Sequence, residues 1–289
     1  MTKYYLQKTL AQKVSISGTG VHSGKHTHLT IKPAPENHGI KFRRVDLPGT
    51  QDIQAIFNMV VDTSLATVLG NNGAIVSTIE HLMAGFAGLG IDNALVEVDD
   101  YEIPIMDGSA WVFTQLIQEA GIKEQTAPQH FMIVKKKVEV VDNDKSVIIY
   151  PEPTFKITCK IDFDHALIGK QEIIFDRAKN NFAKEISKAR TFGFVKDLEL
   201  LRRFSLAKGG SLDNAIVIDK DRILNKEGLR YPDEFVRHKL LDSLGDFSLL
   251  GMPIKGHIVT HKSGHAMNHL FIKKLLQNRD AWETGPAIK

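Results

Sequence analysis

His238 and Asp242 stand four apart in Phe-Val-Arg-His-Lys-Leu-Leu-Asp-Ser-Leu-Gly-Asp (235–246), a stretch that reads as a helix. Residues four apart stack on one helix face, so an imidazole and a carboxylate are presented together, two ligands for a borderline-soft divalent metal such as zinc. Asp246 extends that face by a turn, and His265 follows in Lys-Ser-Gly-His (262–265). A catalytic zinc usually has a third protein ligand and an open position. Ser-Thr-Ile-Glu-His-Leu-Met (77–83) offers His81 for that place, with the carboxylate of Glu80 beside it. The combination suggests a metal-dependent hydrolase. Plainer readings compete with it. His/Asp pairs at this spacing are common on helices, and Ser77-Thr78-Ile79-Glu80 also reads as a capping box. Asp246 and His265, each taken alone, suit surface or structural roles, and spacing alone does not bring these distant stretches together.

The elements that must position these residues alternate along the chain. Strand-like runs lie at 28–32, 93–98, 131–134 and 146–150. Helical stretches are clearest at 77–88, 109–120, 182–190, 233–250 and 264–277. The segment from Gly121 to Gln129, with Thr126, Ala127 and Pro128, reads as a linker between two α+β halves, residues 1–125 and 130–289. No internal repeat is visible at the level of residues.

Composition narrows the function classes. A length of 289 residues allows one large or two medium domains, and 43% hydrophobic with 25% charged residues is the balance of a soluble globular protein. A net charge of +3, with no basic run beyond Lys135-Lys136-Lys137, argues against nucleic acid as a partner. Cys159, the single cysteine, excludes an intramolecular disulfide and falls in a strand-like run, where it is expected to be a buried bystander. The start, Met-Thr-Lys-Tyr-Tyr-Leu-Gln-Lys, has no apolar signal-peptide core, and no stretch reaches the ~20 apolar residues of a membrane span. A cytoplasmic enzyme is expected.

Eight ordered blocks carry a resemblance. They are Thr-Gly-Val-His-Ser-Gly-Lys (19–25), Ser-Thr-Ile-Glu-His-Leu-Met-Ala (77–84), Gly-Leu-Gly-Ile-Asp-Asn (88–93) and Glu-Ile-Pro-Ile-Met-Asp-Gly-Ser-Ala (102–110) in the first half. Ala-Arg-Thr-Phe-Gly-Phe (189–194), Gly-Gly-Ser-Leu-Asp-Asn-Ala (209–215), Asp-Glu-Phe-Val-Arg-His-Lys-Leu-Leu-Asp (233–242) and Lys-Ser-Gly-His-Ala-Met-Asn (262–268) follow in the second. In this order they resemble the UDP-3-O-acyl-N-acetylglucosamine deacetylase family of lipid A biosynthesis, from about residue 5 to residue 283.

The resemblance implies an α+β fold of two similarly folded domains, each of layered sheet and helix, with the site at their interface. It implies zinc, or iron(II) in its place, held by His81, His238 and Asp242. Glu80 resembles the general base, and His265 the cationic imidazole that stabilises the oxyanion and protonates the leaving amine. Asp246 would pair with His265 and favour its charged form. Thr191 would donate a hydrogen bond to the oxyanion. For the substrate, Lys239, His22 and Lys262 match positions around sugar and phosphates, Lys145 a nucleotide-side lysine, and Phe163 a ring to stack on uracil. The segment 192–201, with Phe192, Phe194, Leu201, Leu206 and Leu212, resembles the hydrophobic passage for the acyl chain. A monomer that touches the membrane surface transiently is expected. Ala207 and Leu65 stand where some relatives carry cysteine, and the tail after Trp282 is short. No catalytic position is altered.

Two rival classes stay open at this point. A zinc peptidase would carry His-Glu-x-x-His, which is absent because Glu80 precedes His81. A non-catalytic nucleotide-sugar or lipid-binding protein would have lost Glu80 or a ligand, and neither is lost.

Overall fold

The computed structural model describes residues 4–286, and of residues 198–200 and 202 the backbone alone. The chain is α+β, and its helices are α1 (Glu80–Leu89), α2 (Trp111–Ala120), α3 (Phe182–Glu185), α4 (Val195–Arg203), α5 (Glu234–Phe247) and α6 (His265–Gln277). In the first half a five-stranded sheet runs in the order Val14–Thr19, His26–Pro33, Ala94–Val98, Ile40–Arg44, Ile53–Gln54. In the second half a seven-stranded sheet is built on Ile254–His261, flanked by Lys145–Tyr150 antiparallel and by Phe155–Phe163 parallel. Every second residue of Ile254–His261 is buried, the period-two signature of a strand with one face on the core. Cys159 is buried in Phe155–Phe163.

Between the halves, α1 packs against α5. All but two residues of α5 are buried, among them His238, Asp242, Ser243 and Asp246. A helix buried all round has only a weak apolar stripe, and its polar residues need partners inside the protein. Close approach of the two helices depends on Gly245, where a Cβ would collide with the main-chain carbonyl of Glu80. Gly245→Ala is therefore expected to lower stability by about 1–3 kcal/mol through overpacking, in spite of the ~1 kcal/mol that alanine gains over glycine in a helix. A urea midpoint that is unchanged or raised would show that the helices can part without cost.

Several sequence expectations need correction. The segment read as a linker at 121–129 is mostly a strand, Ile122–Pro128, paired antiparallel with Leu6–Leu10. The helix expected at 182–190 stops at Glu185. The helix expected at 77–88 starts only at Glu80, without a capping box: its N-cap is Ile79 and no side chain caps it. Thr78 instead takes a positive φ of 61°, rare for a β-branched residue, and donates its Oγ1 proton to the buried carboxylate of Glu102 at 3.0 Å. The other helices and the four strand-like runs lie where the pattern puts them, within a few residues.

Candidate active site

α1 delivers Glu80 and His81 from its first turn, and α5 delivers His238, Asp242 and Asp246 from successive turns of one face. One ligand atom each from His81, His238 and Asp242 falls within 4.8 Å of the others, all three residues being buried. Asp242 Oδ1 lies 3.6 Å from His81 Nε2 and 3.3 Å from His238 Nε2. The other oxygen, Oδ2, accepts from Lys239 Nζ at 2.9 Å.

The chemistry of these atoms suits a cation. His238 Nδ1 is 3.1 Å from the carbonyl of Ala189, a group that only accepts, so Nδ1 carries the proton and Nε2 presents a lone pair to the cluster. Burial, against the pull of Asp242, drives the His238 pKa down to about 3, which keeps the ring neutral. Burial would raise Asp242, yet His238 and Lys239 hold it well below the usual carboxylate range. Asp242 Oδ1 has no hydrogen-bond partner among the described residues. A buried carboxylate oxygen aimed at two imidazole nitrogens and bonded to nothing is an unsatisfied group that a divalent ion would complete. These three residues could hold a metal ion.

Beside the cluster runs a second chain of polar groups. His265, the first residue of α6, lies with Nδ1 2.9 Å from Asp246 Oδ2, and its Nε2 lies 3.8 Å from Glu80 Oε1. Burial would lower the His265 pKa, but Asp246 and then Glu80 overcome it and raise it to about 10. Glu80 is itself raised, chiefly by burial. Two residues that the sequence did not single out hold this chain in place. Thr67 donates its N–H to Glu80 Oε2 at 3.1 Å and its hydroxyl to Asp246 Oδ1 at 2.6 Å, and Asn268 Nδ2 donates to Asp246 Oδ2 at 2.8 Å. Asn268 sits one turn beyond His265 on the same helix, a spacing that could have marked it; Thr67 carries no local signal. Arg190 is a third such residue: its buried guanidinium bonds Glu234 at the start of α5, next to Ala189, whose carbonyl faces His238.

The remaining sequence-predicted residues divide. Thr191 directly precedes the strand Phe192–Phe194, and its main-chain N–H and carbonyl are bonded to Gly108 and Ile216. Phe192 packs edge-on against His238, with ring centroids 6.2 Å apart, and Lys239 Nζ lies 5.8 Å over the Phe192 ring. Phe163 touches both Phe192 and Phe194, so the three rings form one wall next to the cluster. Leu201 and Leu206 are half-buried and joined by a main-chain bond, while Leu212 is exposed. His22 is half-buried, its N–H held by Glu102 Oε1 at 2.9 Å and its carbonyl accepting from Lys208 N. Its Nδ1 is buried without a partner among the described residues. Lys262 is turned to Asp144 at 2.6 Å, near the exposed Lys145. No described contact joins these two lysines to the cluster.

An α+β scaffold that buries two histidines and a carboxylate next to a carboxylate–imidazole pair defines a metal-dependent hydrolase class. Comparison with known proteins narrows this. The sequence model of the UDP-3-O-acyl N-acetylglycosamine deacetylase family matches residues 7–277, and the chain belongs to that family. It is similar to the UDP-3-O-acyl-N-acetylglucosamine deacetylase of Myxococcus xanthus, 52% identical over 283 residues, covering 98% of this chain and 90% of that protein. The protein of the same name from Teredinibacter turnerae is 51% identical over 96% of this chain and 92% of its own length. That of Idiomarina loihiensis is likewise 51% identical, over 96% and 92%.

Proposed function

We propose that this chain is a zinc-dependent deacetylase that removes the N-acetyl group of UDP-3-O-acyl-N-acetylglucosamine and releases acetate, the committed step of lipid A biosynthesis. The carrying observation is the buried His81–His238–Asp242 group next to Glu80 and His265, in a chain about half identical over nearly its full length to proteins of that name. The reading takes residues 1–125 and 130–289 as two domains, with Glu80 and His81 from the first and the other ligands from the second. It also takes the protein as a cytoplasmic monomer; among the described residues, no helix is long and apolar enough to cross a membrane.

A zinc ion held by His81, His238 and Asp242 would supply Lewis-acid polarisation and acidify water. The chain's own groups do the rest. Glu80, deprived of solvation, takes the proton of the attacking water. His265, charged through Asp246, faces the oxyanion with its Nε2–H and afterwards gives that proton to the leaving amine. Thr191 adds a hydroxyl donor to the oxyanion, and Lys239 orients Asp242 while remaining near the substrate. Phe192 and Phe194 continue through Leu201, Leu206 and Leu212 as the acyl passage. Each buried methylene contributes about 0.8 kcal/mol. Phe204 is 70% exposed and Leu212 44% exposed, which supports transient contact of this edge with a membrane surface. His22, Lys262, Lys145 and Phe163 are assigned to the sugar, the diphosphate and the uracil.

Acetate release from UDP-3-O-acyl-N-acetylglucosamine, measured with metal content on freshly purified protein, tests this directly. The expected result is release that a chelator abolishes and zinc restores. Metal-replete protein that releases no acetate would end the proposal. Metal analysis in the same preparation separates zinc from iron(II), which two histidines and a carboxylate can also hold.

The pairing of Asp246 with His265 makes a pH prediction. His265 acts as the charged form, so activity falls as pH rises through its pKa, which Asp246 has raised to about 10. In Asp246→Asn the raising charge is gone while burial still lowers the pKa. The basic limb of kcat/KM should therefore move to lower pH, and the maximum should fall. A basic limb that stays in place would show that another group sets it.

A further inference from the structure

On the other side of the α1–α5 pair from the metal-ligand group lies an open cavity of about 420 Å³ between the two halves of the chain. Sites that bury a small-molecule ligand usually measure about 300–1,000 Å³. Its walls come from Met83 and Phe86 on α1, Phe247 on α5, and Phe175 and Ile254 from the second-half sheet. Leu244 and Phe247 point away from His238, Asp242 and Asp246 on α5, as the helical period requires. The cavity shares no residue with the 192–212 passage.

One charged group at the rim lacks a counterpart. Arg177, exposed there, has a guanidinium that makes no hydrogen bond and no ion pair with a described residue. The carboxylate that acts on it is Asp92, whose oxygens are already taken: Oδ2 by Lys8 N at 2.8 Å and Oδ1 by Gln129 Nε2 at 2.6 Å. A free guanidinium fork beside the apolar wall of Met83, Phe86, Phe175, Phe247 and Ile254 complements a single carboxylate that carries a hydrocarbon tail.

We infer that this cavity is a binding site for a long-chain fatty acid, with its carboxylate on Arg177 and its alkyl chain over Phe175, Phe86 and Phe247. A phosphate dianion would bring a second charge towards Asp92 with one guanidinium to meet it. A single-tailed monoanion brings one charge to the one guanidinium.

Calorimetric titration of the full chain with dodecanoate, kept below its micelle concentration, tests the site without any turnover, so the outcome is separable from that of the proposed deacetylation. Saturable binding of one molecule per chain is expected, about fourfold tighter for each added methylene between decanoate and dodecanoate. Arg177→Gln should weaken it by at least about tenfold, because a charge-assisted bond is lost, with Arg177→Lys in between. Dodecanol should bind more weakly than dodecanoate, and Ala87→Leu, which fills the cavity from α1, should weaken dodecanoate. Arg177 is exposed, so its variants should melt with the parent protein. No binding, or binding indifferent to Arg177→Gln, overturns the inference. So does binding lost in Phe194→Ala, which would seat the fatty acid in the acyl passage.

Discussion

His238→Ala is expected to purify without stoichiometric metal and without measurable acetate release, and His81→Ala to behave in the same way. The reason is the number of donors. The buried cluster offers one atom each from His81, His238 and Asp242, and removal of an imidazole leaves two, too few for a catalytic ion. The loss at His238 has a second part. Its Nδ1–H bond to the Ala189 carbonyl, at 3.1 Å, fixes the ring and links α5 to the segment that leads into the strand Phe192–Phe194, so the variant also loosens that neighbour. Metal-to-protein ratio and turnover should fall together. A variant of either histidine that keeps one metal per chain with near-parent kcat would show that the ligand set is wrong. A control at Lys239 sharpens the test: its Nζ holds Asp242 Oδ2, so Lys239→Ala should weaken metal retention without abolishing it.

What could be read from the residues and what could not follow one physical division. The spacing of His238, Asp242 and Asp246 is a property of a single helix, and it held even though α5 is buried all round and shows little amphipathy. The carboxylate of Glu80 had two local readings, as a capping partner or as a free base, and only the tertiary structure separates them. Thr78 is drawn off to Glu102, leaving Glu80 between Thr67 and His265. Thr67 meets Asp246 across 179 positions of chain, a contact that no local pattern encodes. The helix expected at 182–190 ends early because its later N–H groups leave the i−4 ladder: Ser187 N reaches back to Phe182, Ala189 N turns to Ile186, and Arg190 N donates to Glu234 Oε1. The segment at 121–129 looked like a linker because its turn-forming and charged residues suit a loop, whereas it forms the exposed strand of a two-stranded ribbon. The members of the His81–His238–Asp242 group were thus legible one by one, while the groups that orient them were not.

Glu80→Ala should keep its metal and lose about 10²–10⁴-fold in kcat, the usual worth of a general base. His81, His238 and Asp242 form a group that could hold the ion without Glu80. Its carboxylate lies apart from them, with Oε2 on Thr67 N and Oε1 facing His265 Nε2 at 3.8 Å. Burial raises its pKa, which brings it towards the value at which a carboxylate accepts a proton at neutral pH. The carboxylate also helps to raise His265, so its removal lowers the imidazole pKa while Asp246 still holds that pKa up. The variant should therefore show both a lower maximum and a basic limb moved to lower pH, a smaller displacement than in Asp246→Asn. Glu80→Gln keeps the shape and the contact with Thr67 but accepts no proton, so it should match Glu80→Ala in rate and exceed it in thermal stability. If Glu80→Gln turns over near the parent rate, the proton of the attacking water goes to another group, and His265 would be the first to examine. If Glu80→Ala instead loses its metal, Glu80 is a ligand and the assignment of the base falls with it.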